Sequence, residues 1–303
     1  MVILCHKIKE VLVMASWDEI VKEMGSFPNQ FDSIRAKYLK ELSSYTNRNT
    51  IAYYSSFLNK PSAPGSDMND QDMNGFMNAM KGVDAKKGLD LILHTPGGSP
   101  LAAEAIVDYL RSKFKNNIRV IVPQLAMSAG TMIACSSKEI FMGKESSLGP
   151  IDPQFNGIPA YSILKEFEQA KTEIISNPAS TNYWAILLNK YPAAFVYRAQ
   201  EAVALSNELV LKWLHPGMVK NKTDAEKIVS KLNEHDESKE HGRHFNIDYC
   251  RSIGLKVTAF EDDQELQDKV LSVHHSFMIT FGGTPAVKII QNDDRPWIVT
   301  ATN

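Results

Sequence analysis

The sequence predicts an α/β protein built on a largely parallel sheet, and three observations predict it. Short continuous apolar runs of strand length, "LDLILH" (89–94), "IRVIVP" (118–123) and "EIFMG" (139–143), follow one another along the chain, as strands buried on both faces do. Between them lie stretches with helical apolar spacing, one after "TPGG" and one over 128–137. Strand, helix, strand, helix, strand are complete within about 55 residues, the pattern of parallel strands joined by right-handed crossovers.

The elements follow in order. Residues 17–45 read as helical, with Phe31, Ile34, Tyr38, Leu39 and Leu42 on one face, and "IAYYSSFL" (51–58) as a strand. "NKPSAPGSDMND" has the composition of a loop, and a helix is expected over 68–81. After the first buried strand, Ser99 caps a helix that opens on Pro100, where the missing N–H costs nothing. From Pro159 to about Leu232 the chain is mostly helical; "LKVTAF" (255–260) is a late strand and 263–279 a late helix. Three parts result: residues 1–60, a helical extension with the first strand; 61–262, the core with a helical insertion at about 159–232; and 263–303, a C-terminal helix and tail. Lys9-Glu10-Val11 can be encoded by AAG-GAG-GTN, a bacterial ribosome-binding sequence, and Met14 follows at the usual spacing. Translation is therefore expected to start at Met14, leaving 1–13 untranslated, which N-terminal sequencing of the native protein checks.

Composition narrows the function. With 303 residues, 44% of them hydrophobic and 22% charged, the chain can bury a large core. Lys plus Arg number 33 against 35 Asp plus Glu, so bulk charge draws it neither to nucleic acid nor to an anionic membrane. No apolar run reaches the roughly 18 residues of a membrane span, and Lys7, Lys9 and Glu10 interrupt the only stretch that resembles a signal sequence. Cys5, Cys135 and Cys250 lie far apart without CxxC spacing, which suits packing thiols in a reducing cytoplasm rather than a disulfide framework or zinc module. His235, His241 and His244 fit no structural zinc spacing. Neither metal nor cofactor is expected.

Chemistry belongs beyond the carboxyl ends of the strands. In "HTPGGSP", Gly97 and Gly98 leave backbone N–H groups uncovered beside a helix N-terminus, the equipment of an oxyanion or phosphate site. The Gly-Lys-Ser/Thr of a Walker A loop is missing. In "AMSAGTM", Ser128 stands at a strand-to-helix junction among Ala126, Ala129 and Gly130. That arrangement resembles the G-x-S-x-G nucleophile elbow with Ala in place of the first Gly, small neighbours letting a sharp turn lift the hydroxyl clear of the sheet. One buried strand separates the two motifs.

"LILHTPGGSPLAAEAIVDYLRS" and "VIVPQLAMSAGTMIACSSKEIFMGKESSLGPIDPQ" resemble the Clp-fold serine peptidases, and most of all the serine dehydrogenase proteinases, relatives of the signal peptide peptidase A group. The likeness extends to "SDMNDQDMNGFMNAM", "HGRHFNIDYCRSIGLKV" and "LQDKVLSVHHSF", most of residues 30–290. It implies a Clp/crotonase-like spiral of ββα units with helical N- and C-terminal extensions, a homo-oligomer, and hydrolysis of peptide or unfolded protein substrates. It also implies Ser128 as nucleophile, with an oxyanion hole from the N–H groups of Gly97, beside Gly98, and of Ala129. For the base three candidates stand. Asp152 occupies the neighbourhood of the Clp histidine, Lys165 lies a turn beyond the lysine position of the signal peptide peptidase group, and His241, counted back from "SIGL", falls at or beside the Clp aspartate. His241 as base with Asp152 orienting it supplies a complete triad, since a carboxylate alone is poorly matched to a serine hydroxyl. A catalytically silent Clp-fold scaffold and a crotonase-type acyl-CoA enzyme are the alternative functions.

Overall fold

A computed structural model describes residues 16–233 and 242–301. The expected start at Met14 and the candidate base His241 lie outside the described residues.

Two helices, α1 (Trp17–Met24) and α2 (Gln30–Thr46), stand where one was expected. Ser16 and Glu19 close a reciprocal capping box on α1, and the break at 25–29 contains Gly25 and Pro28, neither of which continues a helix. Strand β1 (Asn49–Ser55) follows. Helix α3 (Asp72–Ala79) begins later than position 68 because Met68 is drawn into a parallel bridge with Gly98. Strand β2 (Leu89–His94) and helix α4 (Pro100–Phe114) fall on the expected residues, and Ser99 Oγ accepts the Ala102 N–H. Then come β3 (Ile118–Val122), β4 (Leu125–Ala126), α5 (Ala129–Cys135), β5 (Glu139–Met142) and β6 (Ser147–Leu148). A small hairpin, β7 (Gln154–Phe155) and β8 (Ile158–Pro159), leads into helices α6 (Ala160–Ser176), α7 (Thr181–Leu188), α8 (Phe195–Leu214) and α9 (Lys222–Asn233). The described chain closes with α10 (Ile247–Ser252), β9 (Val257–Ala259), α11 (Gln264–Gly283), β10 (Ala286–Gln291) and β11 (Pro296–Thr300).

The central sheet has the order β11-β10-β1-β2-β3-β5-β9. Strands β1 to β9 in it run parallel, while β10 and β11 add antiparallel at the β1 edge. No strand was expected beyond residue 279. Along β2 the side chains alternate between layers, Leu89, Leu91 and Leu93 toward the α3–α4–α5 side and Ile92 toward the α1–α2–α11 side. Both faces are covered, which is why the strand reads as an apolar run up to His94, interrupted only by the buried Asp90, whose carboxylate pairs with Arg48 and Arg119 (2.6 Å each). Beyond the carboxyl ends of the strands a second layer forms, in which β4 pairs with β6, Thr95 bridges Ala126, and Leu148 bridges Phe245. The repeat of strand, short outer strand and helix is the ββα unit of the Clp fold. Helices α6 and α8 keep a small cluster of their own around Ala160, Ile163 and Ala199.

Cys135 and Cys250 are buried free thiols, and desolvation pushes both upward, Cys250 to about 12. Among the described residues no helix is long and apolar enough to cross a membrane.

Candidate active site

The two sequence junctions meet because Thr95, just past β2, is zipped to β4. Its N–H donates to Leu125 O (3.0 Å) and its carbonyl accepts the Met127 N–H (3.0 Å). This pairing presses Gly97 onto Ser128. A Cβ on Gly97 would stand 2.6 Å from Ser128 Cβ and 2.8 Å from Met127 O, and Gly97 has φ +99°. Only glycine fits there.

Ser128 precedes α5 with φ 51° and ψ −115°, a conformation that L-residues avoid and that is held in place only by its surroundings. Its side chain does not cap the helix. Ser128 is partly buried, and its hydroxyl makes no hydrogen bond among the described residues. Strain, partial exposure and freedom from local bonding are what a nucleophile elbow requires.

Each backbone N–H near Ser128 has a distinct orientation. That of Gly97 donates to Thr95 Oγ1 (3.1 Å). Across the bridge, Met68 N–H donates to Gly97 O (2.7 Å) and Met68 O accepts the Ser99 N–H (2.9 Å). In a parallel bridge of this register the N–H of the middle residue, Gly98, points away from Met68. Gly98 has φ +144°, and a Cβ on it would come within 2.4 Å of Met68 O. The Ala129 N–H opens α5, where a helix supplies no acceptor.

Thr131, fully buried in α5, fastens this turn to the next loop. Its Oγ1 donates to Ala126 O (2.8 Å) and accepts the Gly149 N–H (2.9 Å). Three residues on, Asp152 is buried at 2% exposure and accepts a hydrogen bond from Gln154 Nε2 (2.8 Å). Lys165 is exposed on α6, its Nζ 5.3 Å from the centre of the Tyr161 ring. It lines a groove of about 630 Å³ with Leu164, Ile174, Leu188 and Val196, to which Ser128 does not contribute.

Sequence reading missed a buried polar set behind the glycine loop: Tyr53, Asp72 and Lys288, each at most 1% exposed. The visible sign was a lysine inside the apolar run "AVKIIQ". It also missed His94, wholly buried at the end of β2.

A serine on a strained strand-to-helix turn, packed against a glycine pair on a spiral of ββα units, places the molecule among the Clp-fold proteins. The profile of the ClpP-like SDH-type serine proteinases matches residues 66–268, and the chain belongs to that family. It is similar to two uncharacterized proteins of Methanocaldococcus jannaschii. One is 43% identical over 99 residues, 33% of this chain and 34% of that protein. The other is 40% identical over 97 residues, 32% of this chain and 33% of that protein. The chain thus spans about a third of the length of these curated relatives.

Proposed function

We propose that the protein is a serine peptidase that hydrolyses peptide bonds in peptide or unfolded protein substrates, in the cytoplasm and as a homo-oligomer. The observation that carries this reading is the strained Ser128 seated against Gly97. Ser128 Oγ attacks the scissile carbonyl. The developing oxyanion is received by the N–H groups of Gly98 and Ala129, a role expected first of Gly97, whose own N–H is held by Thr95. Gly97 supplies the room for close approach. A base takes the hydroxyl proton and returns it to the leaving amine. His241 oriented by Asp152 is assigned here, and the link from Thr131 through Gly149 to the Asp152 loop supports the second half of that pair.

A fluorophosphonate probe tests the nucleophile: the wild type is labelled and Ser128→Ala is not. Equal labelling of both at another serine removes the assignment. The base is read from pH dependence. With His241 the labelling rate rises through about pH 6.5, whereas a lysine base such as Lys165 leaves it rising in the alkaline range.

A further inference from the structure

The segment "SDMNDQD" (66–72), which leads into the first residue of α3, takes no part in the chemistry above, yet its backbone is the wall behind the glycine loop. The bonds of Met68 to Gly97 O and Ser99 N–H (2.7 and 2.9 Å) mean that the aim of the Gly98 N–H depends on where Met68 stands. Met68 is held from both sides by buried polar groups. Upstream, Ser55 Oγ donates to Ser66 O (2.6 Å) and Lys288 Nζ to Asp67 O (2.7 Å). Downstream, Asp72 Oδ2 accepts the Asn69 N–H (3.0 Å). Lys288 Nζ lies 2.6 Å from Asp72 Oδ1, each side chain 1% exposed, and Tyr53 OH donates to Asp72 Oδ2 (2.8 Å).

A buried ion pair is a poor source of stability, because apolar residues of similar volume serve as well, and its best use is to fix one arrangement among several. Here the bonds of Asp72 and Lys288 converge on the residues either side of Met68. We propose that Asp72 and Lys288 are positioning residues: their ion pair frames Met68 and so aims the Gly98 N–H at the oxyanion of the reacting carbonyl. This rests on the serine-peptidase reading.

The test uses the full chain and a fluorophosphonate probe, with the labelling rate at Ser128 followed against probe concentration and amide exchange measured at Met68 and Ser99. In folded Asp72→Asn the maximal rate drops more than threefold, the half-saturating probe concentration stays put, and the two amides exchange faster. A role in stability alone lowers the melting temperature and leaves the rate within threefold of wild type, which overturns the proposal. Should Asp72→Asn fail to fold, Tyr53→Phe, which removes one hydroxyl and no charge, decides by the same threefold criterion. A wild type that is not labelled at Ser128 sinks the serine reading and this inference with it; labelled wild type with unaltered variants sinks this inference alone.

Discussion

Ser128 is the residue whose geometry most constrains the reading. Its positive φ costs a serine on the order of 1–3 kcal/mol that glycine does not bear. Ser128→Gly is therefore expected to be about 1 kcal/mol more stable than Ser128→Ala, both unlabelled by fluorophosphonate, and urea midpoints check it. Equal midpoints would mean that the turn holds no strain. Gly98→Ala forces a Cβ into Met68 O, and if the N–H is displaced the labelling rate should fall about a hundredfold, the usual loss for one oxyanion donor. Ser128 and the glycines were legible in the sequence because small residues flank them within a few positions. Asp72 and Lys288 were not. They are 216 positions apart, and a lone lysine in an apolar run reads as a surface residue until its partner is known.

Among the elements, legibility followed local chemistry. Helix α4 begins where its Ser99–Pro100 signature puts it, since cap and first-turn proline act within one turn. Strand β10 escaped notice because Lys288 and Gln291 break its apolar pattern, and each is satisfied only from afar, by Asp72 and by Arg35 Nε (2.8 Å). Helix α5 carries a prediction of its own. Thr131→Val leaves the Ala126 carbonyl and the Gly149 N–H unpaired in the core, at a cost of about 1–3 kcal/mol, whereas Thr131→Ser keeps both bonds. Thermal unfolding of the two variants separates them, and a larger loss for Thr131→Ser than for Thr131→Val would show that the methyl, not the hydroxyl, matters.

For the whole molecule, two buried histidines set the response to acid. His94 at the end of β2 has neither ring nitrogen bonded among the described residues, and burial brings it down to about 3. His274 on α11, beside His94 and with its Nδ1 3.4 Å from Tyr54 OH, is lowered for the same reason, with His94 and His275 adding repulsion. Tyr54, Phe57 and His275 are the other rings around the pair. Both imidazoles stay neutral in the fold but take a proton once the chain unfolds below about pH 6.5. Stability is thus full above that pH and declines as the pH falls toward the folded value of His94, by about 1.4 kcal/mol per pH unit for each histidine. His94→Phe should halve the slope of the urea midpoint between about pH 6 and 5; an unaltered slope contradicts the assignment. Ile175, Tyr183, Ile186 and Tyr197, all more than 60% exposed on α6 to α8, are the apolar surface expected to drive self-association. Light scattering should find an oligomer at micromolar concentration, and Ile186→Asp should dissociate it; a monomeric wild type contradicts both.

The strand order has a consequence for synthesis on the ribosome. Strand β1 is flanked by β2 and by β10, so one of its edges stays open until residues 286–291 have emerged. Translation at about 5–20 residues per second leaves that edge unpaired for the time needed to make more than two hundred residues. An open apolar edge is a point where nascent chains stick to one another, so this chain should depend on a holdase while it is being made. The same delay carries a safeguard. Lys288 arrives on β10, and under the assignment made for it the glycine loop stays unframed until that strand has been made, so under the proposed function a nascent chain lacking it could not yet cut its neighbours.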